Sequence, residues 1–388
     1  MTEFTGNPNS EMKSFDVLVV GAGIIGSAVA RECSRLGWHV GVIEGATLSG
    51  GATAAGMGHL VVMDDSPAQL ALTAYSRSLW REEVPNLPDS VEYEGCGTIW
   101  VAADDEEMGE VEARQRKYAQ SGIAARILTP AELSDQEPNL RTGLAGGLLV
   151  PDDGVVYPPA AGDFFLTEAR RLGAEVFQAR AISASEGQVK LSSGITLKAG
   201  RIVLAVGTDC ELLPSLPIQK RKGHLAITDR YPGFVRHQLV ELGYLKSAHS
   251  LIEDSVAFNI QPRKSGQLLL GSSRQYGDES PDVEPRMLTR MIERAKKYMP
   301  GLESLSVLRV WTGFRAATTD KLPLIGPATG LSNDGSLWLA AGLEGLGITN
   351  APGVARLLVD GMTGRESEID AQAYAPARLM EPARYAHA

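Results

Sequence analysis

Cysteine is scarce: three residues, Cys33, Cys96 and Cys210, in a chain of 388. They lie far apart and form no CxxC pair, which excludes a disulfide framework, a zinc site or an iron–sulfur cluster held by this chain alone. A long hydrophobic run is also missing. The longest apolar stretch, residues 17–30, is too short and too rich in glycine to cross a bilayer. Positive charge is in deficit, with 37 Lys and Arg against 47 Asp and Glu and a net charge of -10. That balance argues against nucleic acid or an anionic membrane surface as a partner. The opening MTEFTGNPNSEMKS has neither the basic start nor the apolar run of a signal peptide, so a cytoplasmic, reducing compartment is expected. No internal repeat, low-complexity tract or Ser/His/Asp arrangement stands out.

Glycine is plentiful, 42 residues that come in clusters. A length of 388 suggests two or three domains, and 44% hydrophobic with 22% charged residues suits a globular protein with a sizeable core. From Phe15 the chain reads strand, turn, helix, strand. Residues 17–20 are an unbroken apolar run, as in a strand covered on both faces of a parallel sheet. The helix after the turn places Ile25, Ala28, Val29, Cys33 and Leu36 on one face, and Gly37 ends it. Cys33 therefore reads as core packing. Residues 40–43 form the second strand, ending at Glu44.

Further on, 98–102 reads as a strand, 104–120 as a charged, exposed helix, and 152–159 as a turn-rich approach to a helix over 160–172. Residues 182–191 and 195–197 suggest a hairpin around Ser193-Gly194, and 202–206 is again an apolar strand. From about 217 to 308 the texture changes to several strands with one helix near 284–299, as in an antiparallel sheet with its own helix. Residues 337–341 then read as a strand, followed by a glycine loop and a helix over 350–362. The expected organisation is a discontinuous nucleotide-binding domain over 12–80, 146–216 and 310–370. A second domain over 81–145 and 217–309 is inserted in it, and 371–388 form a C-terminal tail.

The turn Gly21-Ala22-Gly23-Ile24-Ile25-Gly26 has the GxGxxG spacing, and its context gives the motif weight. A buried strand precedes it, a helix opens from it, and an acid stands at Glu44. Gly21 permits the tight turn and Gly23 lets the backbone approach a pyrophosphate. Gly26 lets helix and strand pack closely, while the helix N-terminus faces negative charge. Glu44 would accept ribose hydroxyls. Gly45 and Ala46 follow with no arginine for a 2′-phosphate, which disfavours NADP. Ser49 to Gly58 is then a run of small residues that allows close approach to a large planar cofactor, although an ordinary loop is the plain alternative. Two more glycine-punctuated strand ends, 204–207 and 340–347, bracket the inserted domain and favour FAD. The second runs into a helix whose N-terminus suits the negative charge of a reduced flavin.

With these pieces the sequence resembles the D-amino acid oxidase-like FAD family, which includes glycine oxidase and sarcosine oxidase. The carriers are DVLVVGAGIIG at 16–26, Glu44, SGGATAAGMG at 49–58, VLAVG at 203–207, WTGFRAATTDKLPLIG at 311–326 and AAGLEGLGIT at 340–349. The resemblance implies an α/β FAD-binding Rossmann-like domain of the glutathione reductase type, with an interleaved α+β substrate domain on an antiparallel sheet. It implies oxidation of a C–N bond in an amino or imino acid. It places the cofactor on Gly21, Gly23, Ile24, Ile25, Gly26, Glu44, Gly45, Thr53, Ala54, Gly56, Met57, Val176, Gly207, Gly342, Gly345, Leu346, Gly347 and Ile348. Two departures matter. Sarcosine oxidases attach FAD to a cysteine that would fall near Gly313, and its absence implies noncovalent FAD. Glycine oxidases carry a second arginine near Gly345, which this chain lacks. GLEGLGIT looks instead like the flavin subunit of heteromeric dehydrogenases such as D-hydroxyproline dehydrogenase and the opine oxidases. Partner subunits would then carry further flavin or iron–sulfur centres.

Arg315 stands where this family binds the substrate carboxylate, and a guanidinium fork suits that group bidentately. A carboxylate so held would place the substrate Cα–H over flavin N5 for hydride transfer, giving an imine, cyclic for a proline-type ring. His59 is a second candidate for contact with flavin or substrate, though a lone histidine is more often structural. Asp64-Asp65-Ser66-Pro67 reads as a helix start with Ser66 as its cap. Glu344 lines the site or is a solvated loop residue, and Lys220-Arg221-Lys222 reads as a solvated turn. Two alternatives stand beside the dehydrogenase: a self-sufficient oxidase that uses oxygen, and a noncatalytic flavoprotein that relays electrons.

Overall fold

The computed structural model describes residues 13–213, 215–243, 254–331 and 334–379. The apolar run near the start forms the strand Ser14–Val20 at the centre of a parallel sheet, between Val40–Glu44 and Thr196–Leu204. Glu175–Gln178 extends one side, Leu337–Ala341 the other, and Leu324–Pro327 closes that edge antiparallel. Val17, Leu18 and Val19 are wholly buried, as strands covered on both faces require. Helices Ile24–Arg35 and Gly347–Thr363 pack together on this sheet. Cys33 is buried there and its thiol is pushed up to about 12 by burial, which makes it an inert core residue.

The described residues divide into two units. The first takes those up to Ala54, Pro159–Gln219 and those from Ala316 on; the second takes Ala55–Pro158 and Lys220–Arg315. These boundaries differ from the expected 12–80, 146–216 and 310–370. Residues 55–80 and 146–158 go with the second unit. There Gly146–Val150 pairs antiparallel with Thr98–Ala102, and Arg77 from helix Pro67–Glu83 pairs with buried Asp153 at 2.9 Å. Ser66 caps that helix by accepting from the Gln69 amide at 3.1 Å, a contact worth about 1 kcal/mol. The tail expected over 371–388 is described to 379. It is docked at that point: Tyr374 is buried and Arg378 pairs with Asp320 at 2.6 Å.

The second unit is built on an eight-stranded sheet ordered Val307–Ala317, Gln219–Arg230, Gln267–Arg274, Ser255–Pro262, Gln238–Glu241, Thr98–Ala102, Gly146–Val150, Arg126–Leu128. It is mixed where an antiparallel sheet is expected, because Gln238–Glu241 runs parallel to Thr98–Ala102. One face carries helix Pro285–Tyr298. Phe258 stacks on Tyr298 with ring centroids 4.7 Å apart, and Met291 and Ala295 join Phe258, Ile260, Leu268 and Leu270 in the core. The two-residue period of a strand turns Ala257, Asn259, Gln261 and Gly271 to the opposite face.

Four local readings are corrected. The expected hairpin around Ser193-Gly194 forms between Gln188–Leu191 and Thr196–Leu204, as the second half of a meander. Ala181–Ser185 and Gln188–Leu191 turn at Glu186-Gly187, both at positive φ, and 195–197 and 202–204 belong to one strand, Thr196–Leu204. The helix Asp105–Gln120 is exposed on one side only, since Glu107, Val111, Arg114 and Tyr118 form a buried stripe at helical spacing. Arg114 pairs with Asp64 at 2.8 Å and lies over the Trp100 ring. Lys220-Arg221-Lys222 is strand, not solvated turn: Lys222 is buried and paired with Asp278 at 2.7 Å, and Arg221 donates to the Tyr276 hydroxyl at 3.2 Å. The C-terminal helix begins at Gly347, three residues before the expected Asn350.

Candidate active site

In the first unit the turn after Ser14–Val20 has the geometry that a dinucleotide cradle needs. Gly21 adopts φ +104°, and a Cβ there would lie 2.3 Å from the Ala205 carbonyl oxygen. A Cβ on Gly26 would lie 1.9 Å from the Gly21 oxygen, so helix and strand close up only over glycine. Gly23 is the helix N-cap and carries no side-chain cap. The first-turn amides of Ile25 and Gly26 therefore have no intrahelical acceptor and suit a phosphate anion. The Ile24 amide is held by the Thr53 hydroxyl at 3.0 Å.

Glu44 ends its strand at the same carboxyl edge. Its two carboxylate oxygens accept from the amides of Ala22 and Ala46, each at 2.8 Å. Each oxygen keeps a further lone pair for a ribose hydroxyl. Gly45 packs against the Arg180 backbone. The expected small-residue loop contains a short helix, Gly51–Ala55, which carries Thr53 and Ala54. Gly207 follows Thr196–Leu204 at φ +60°, and Gly342 follows Leu337–Ala341 at φ +70°, with Thr318 where a Cβ would go. Past Gly345, Leu346 is the N-cap of the C-terminal helix, again with no side-chain cap, and Gly347 and Ile348 open its first turn. Glu344 takes positive φ and its amide donates to the Ala316 oxygen at 2.8 Å. Val176 pairs with Val42 on the edge strand Glu175–Gln178, two residues before its carboxyl end. Gln178, at that end, donates to the carbonyls of Glu44 and Ala46.

The remaining candidates, Gly56, Met57, His59 and Arg315, belong to the second unit. Arg315 lies on the outer strand Val307–Ala317 and donates from Nη1 to the Ser273 carbonyl at 3.1 Å. It is seated against Gly223, where a Cβ would lie 2.8 Å from Nη1 and 2.9 Å from Nη2. Ser273 is itself fixed, its hydroxyl lying 2.9 Å from His224 Nδ1 and accepting from the His224 amide at 2.8 Å. His224 Nε2 accepts from the Glu284 amide, so the proton of the neutral ring is on Nδ1. His59 is partly buried, and burial together with the positive charge of Arg315 lowers its pKa to about 4. It is a neutral imidazole at physiological pH. Met57 lies over Gly271, and its carbonyl accepts from Gln261 Nε2 at 2.8 Å. A cysteine at Gly313 would meet Ala55, whose Cβ lies 2.4 Å from the position of an added Cβ. Gly223, His224 and Ser273, which seat Arg315, carry no signal in the sequence because strand register brings them together.

Among the described residues no helix is long and apolar enough to cross a membrane, and no group of His, Cys, Asp and Glu is placed to hold a metal. The uncapped helix start, the glycine turn that admits no Cβ and the acid at the second strand end define a dinucleotide-binding oxidoreductase fold, and FAD fits the cradle. The model of one family, described as FAD dependent oxidoreductase (DAO), matches residues 16–361, and the chain belongs to that family. It is 28% identical over 367 residues to a glycine oxidase from Bacillus licheniformis, covering 91% of this chain and 94% of that protein. It is 23% identical over 333 residues to an opine oxidase subunit from Rhizobium meliloti, covering 81% and 85%. The structure of L-proline dehydrogenase from P. horikoshii has the same fold, with a TM-score of 0.85, 22% identity and coverage of 95% and 98%. The chain is thus an FAD-dependent oxidoreductase.

Proposed function

We propose that this enzyme oxidises the C–N bond of an amino or imino acid to an imine, with a proline- or hydroxyproline-like secondary amine as substrate, as the flavin-bearing subunit of a heteromeric dehydrogenase. The observation that carries the reading is Arg315, a guanidinium anchored at one edge to the Ser273 carbonyl and admitted by the missing side chain of Gly223. A fork held in this way binds a carboxylate bidentately and fixes the orientation of the α-carbon. His59, kept neutral, adds no second positive charge beside Arg315. The first-turn amides at Ile25 and Gly26 would hold the pyrophosphate, Glu44 the ribose, and the start of the C-terminal helix the negative charge of the reduced ring. Bound FAD supplies the hydride acceptor. With no cysteine at Gly313 the cofactor is noncovalent.

The amine must be neutral to give up a hydride. With a pKa of about 4, His59 is too weak a base to take the proton of an ammonium group titrating near 8 or above, so the rate rises with pH as the free amine does. The opine oxidase relative supports a subunit role, and the missing arginine at Gly345 separates this chain from a glycine oxidase site. The test is anaerobic mixing of the FAD-loaded protein with D- and L-amino acids, prolines, hydroxyprolines and opines, followed by flavin absorbance. Bleaching by a proline-type amine supports the reading, and bleaching by no amino acid overturns it. Rapid reoxidation in air would favour the self-sufficient oxidase.

A further inference from the structure

Several buried side-chain oxygens of the second unit have no donor among the described residues, and two of them stand together on one strand. Asn259 and Gln261 stand two residues apart on Ser255–Pro262, on the sheet face opposite helix Pro285–Tyr298. Asn259 is more than nine-tenths buried, yet its Oδ1 accepts no hydrogen bond, and neither does Gln261 Oε1. The Gln261 amide is not free to turn over. Its Nε2 donates to the Met57 carbonyl, which can only accept, so Oε1 must point away as a bare acceptor. Leaving such groups unmet in a native core is costly, and each calls for a ligand or a role.

The same face carries the carboxylate anchor. Asn259 is the cross-strand partner of Gly271, which has no side chain, and Gly271 precedes by two residues the Ser273 that holds Arg315. Two residues along a strand span at most about 7 Å, and the neighbouring strand lies about 4.8 Å away. A small amino acid held by Arg315 can reach that far with a group on its ring or side chain. Asn259 presents both an acceptor and an amide donor, and a hydroxyl both donates and accepts. A carboxylate or a thioether has no proton for Oδ1 or Oε1.

We propose that Asn259, backed by Gln261, is a specificity-determining residue that receives a hydroxyl on the ring or side chain of the substrate. The inference rests on the reading of Arg315 as the carboxylate anchor. The enzyme then discriminates a hydroxylated imino acid from its deoxy counterpart, because the latter has no proton to give to Asn259 Oδ1.

The experiment compares kcat/KM for 4-hydroxyproline and proline, in both configurations at Cα, for the holoenzyme and for Asn259→Leu. The expected result is a wild-type preference of tenfold or more for the hydroxylated substrate. In the variant that preference collapses by at least tenfold. Flavin spectrum and Tm serve as folding controls, and Asn259→Ala carries the same expectation should the leucine variant not fold. A wild type without hydroxyl preference, or variants that keep it, overturns this inference and leaves the carboxylate reading standing. Failure of every amino acid to reduce the wild-type flavin overturns both.

Discussion

Replacing Gly223 by alanine should displace Arg315 without removing any charge. An added Cβ would lie 2.8 Å from Nη1, 2.9 Å from Nη2 and 3.1 Å from Cζ of the guanidinium. Favourable carbon–nitrogen contacts begin near 3.5 Å, so the fork must retreat by roughly 0.6 Å. Gly223 is outside the left-handed region, so alanine adds no backbone strain, and the atom it meets is the mobile end of a long side chain. The folding cost is therefore small, about 1 kcal/mol. Loss of one of two charge-assisted hydrogen bonds to a carboxylate is worth about 1.5–3 kcal/mol, or roughly 10- to 150-fold in kcat/KM. The assay is anaerobic stopped-flow reduction over a range of substrate concentrations, with Tm and flavin content measured alongside. A rise in apparent dissociation constant with an intact flavin spectrum is expected. Wild-type kcat/KM in the folded variant would refute the seating of Arg315 against Gly223 as a determinant of substrate binding.

Two other outcomes follow from the same geometry. Gly26→Ala puts a methyl group 1.9 Å from the Gly21 oxygen, a backbone atom that cannot step aside, so the turn must open at a cost of about 3 kcal/mol or more. Purified Gly26→Ala is expected to have lost most of its flavin, as absorbance at the flavin band against total protein would show. For His59, the folded chain holds the ring neutral to about pH 4 whereas the unfolded chain takes a proton below 6.5. The unfolded state binds more protons in this window, so stability is full above 6.5 and declines as pH falls towards 4, by up to about 3 kcal/mol. Denaturant titrations at pH 7, 5.5 and 4.5 check the slope, which His59→Gln should flatten.

Legibility followed locality. The glycine turn, the helix after it and the strand ending at Glu44 were readable because each rests on residues near in sequence. Ser66 and Pro67 announced a helix start for the same reason. Lys222 was misread because its partner, Asp278, lies on a distant part of the chain, and a charge run carries no sign of being neutralised there. The Glu186-Gly187 turn was missed because glutamate at positive φ has no residue-type signal. In the second unit, Arg315 stood out through family resemblance. Its seat on Gly223 and its brace through Ser273 and His224 depend on strand register, which no single segment encodes.

The central claim, that Arg315 holds the carboxylate of an amino- or imino-acid substrate, is tested most directly by anaerobic flavin reduction in Arg315→Ala, using the panel member that best reduces the wild type. Two charge-assisted hydrogen bonds lost together predict a fall in second-order reduction rate of about 100- to 10,000-fold, with the flavin still bound and its spectrum unchanged. Reduction of the alanine variant at the wild-type rate would contradict the account.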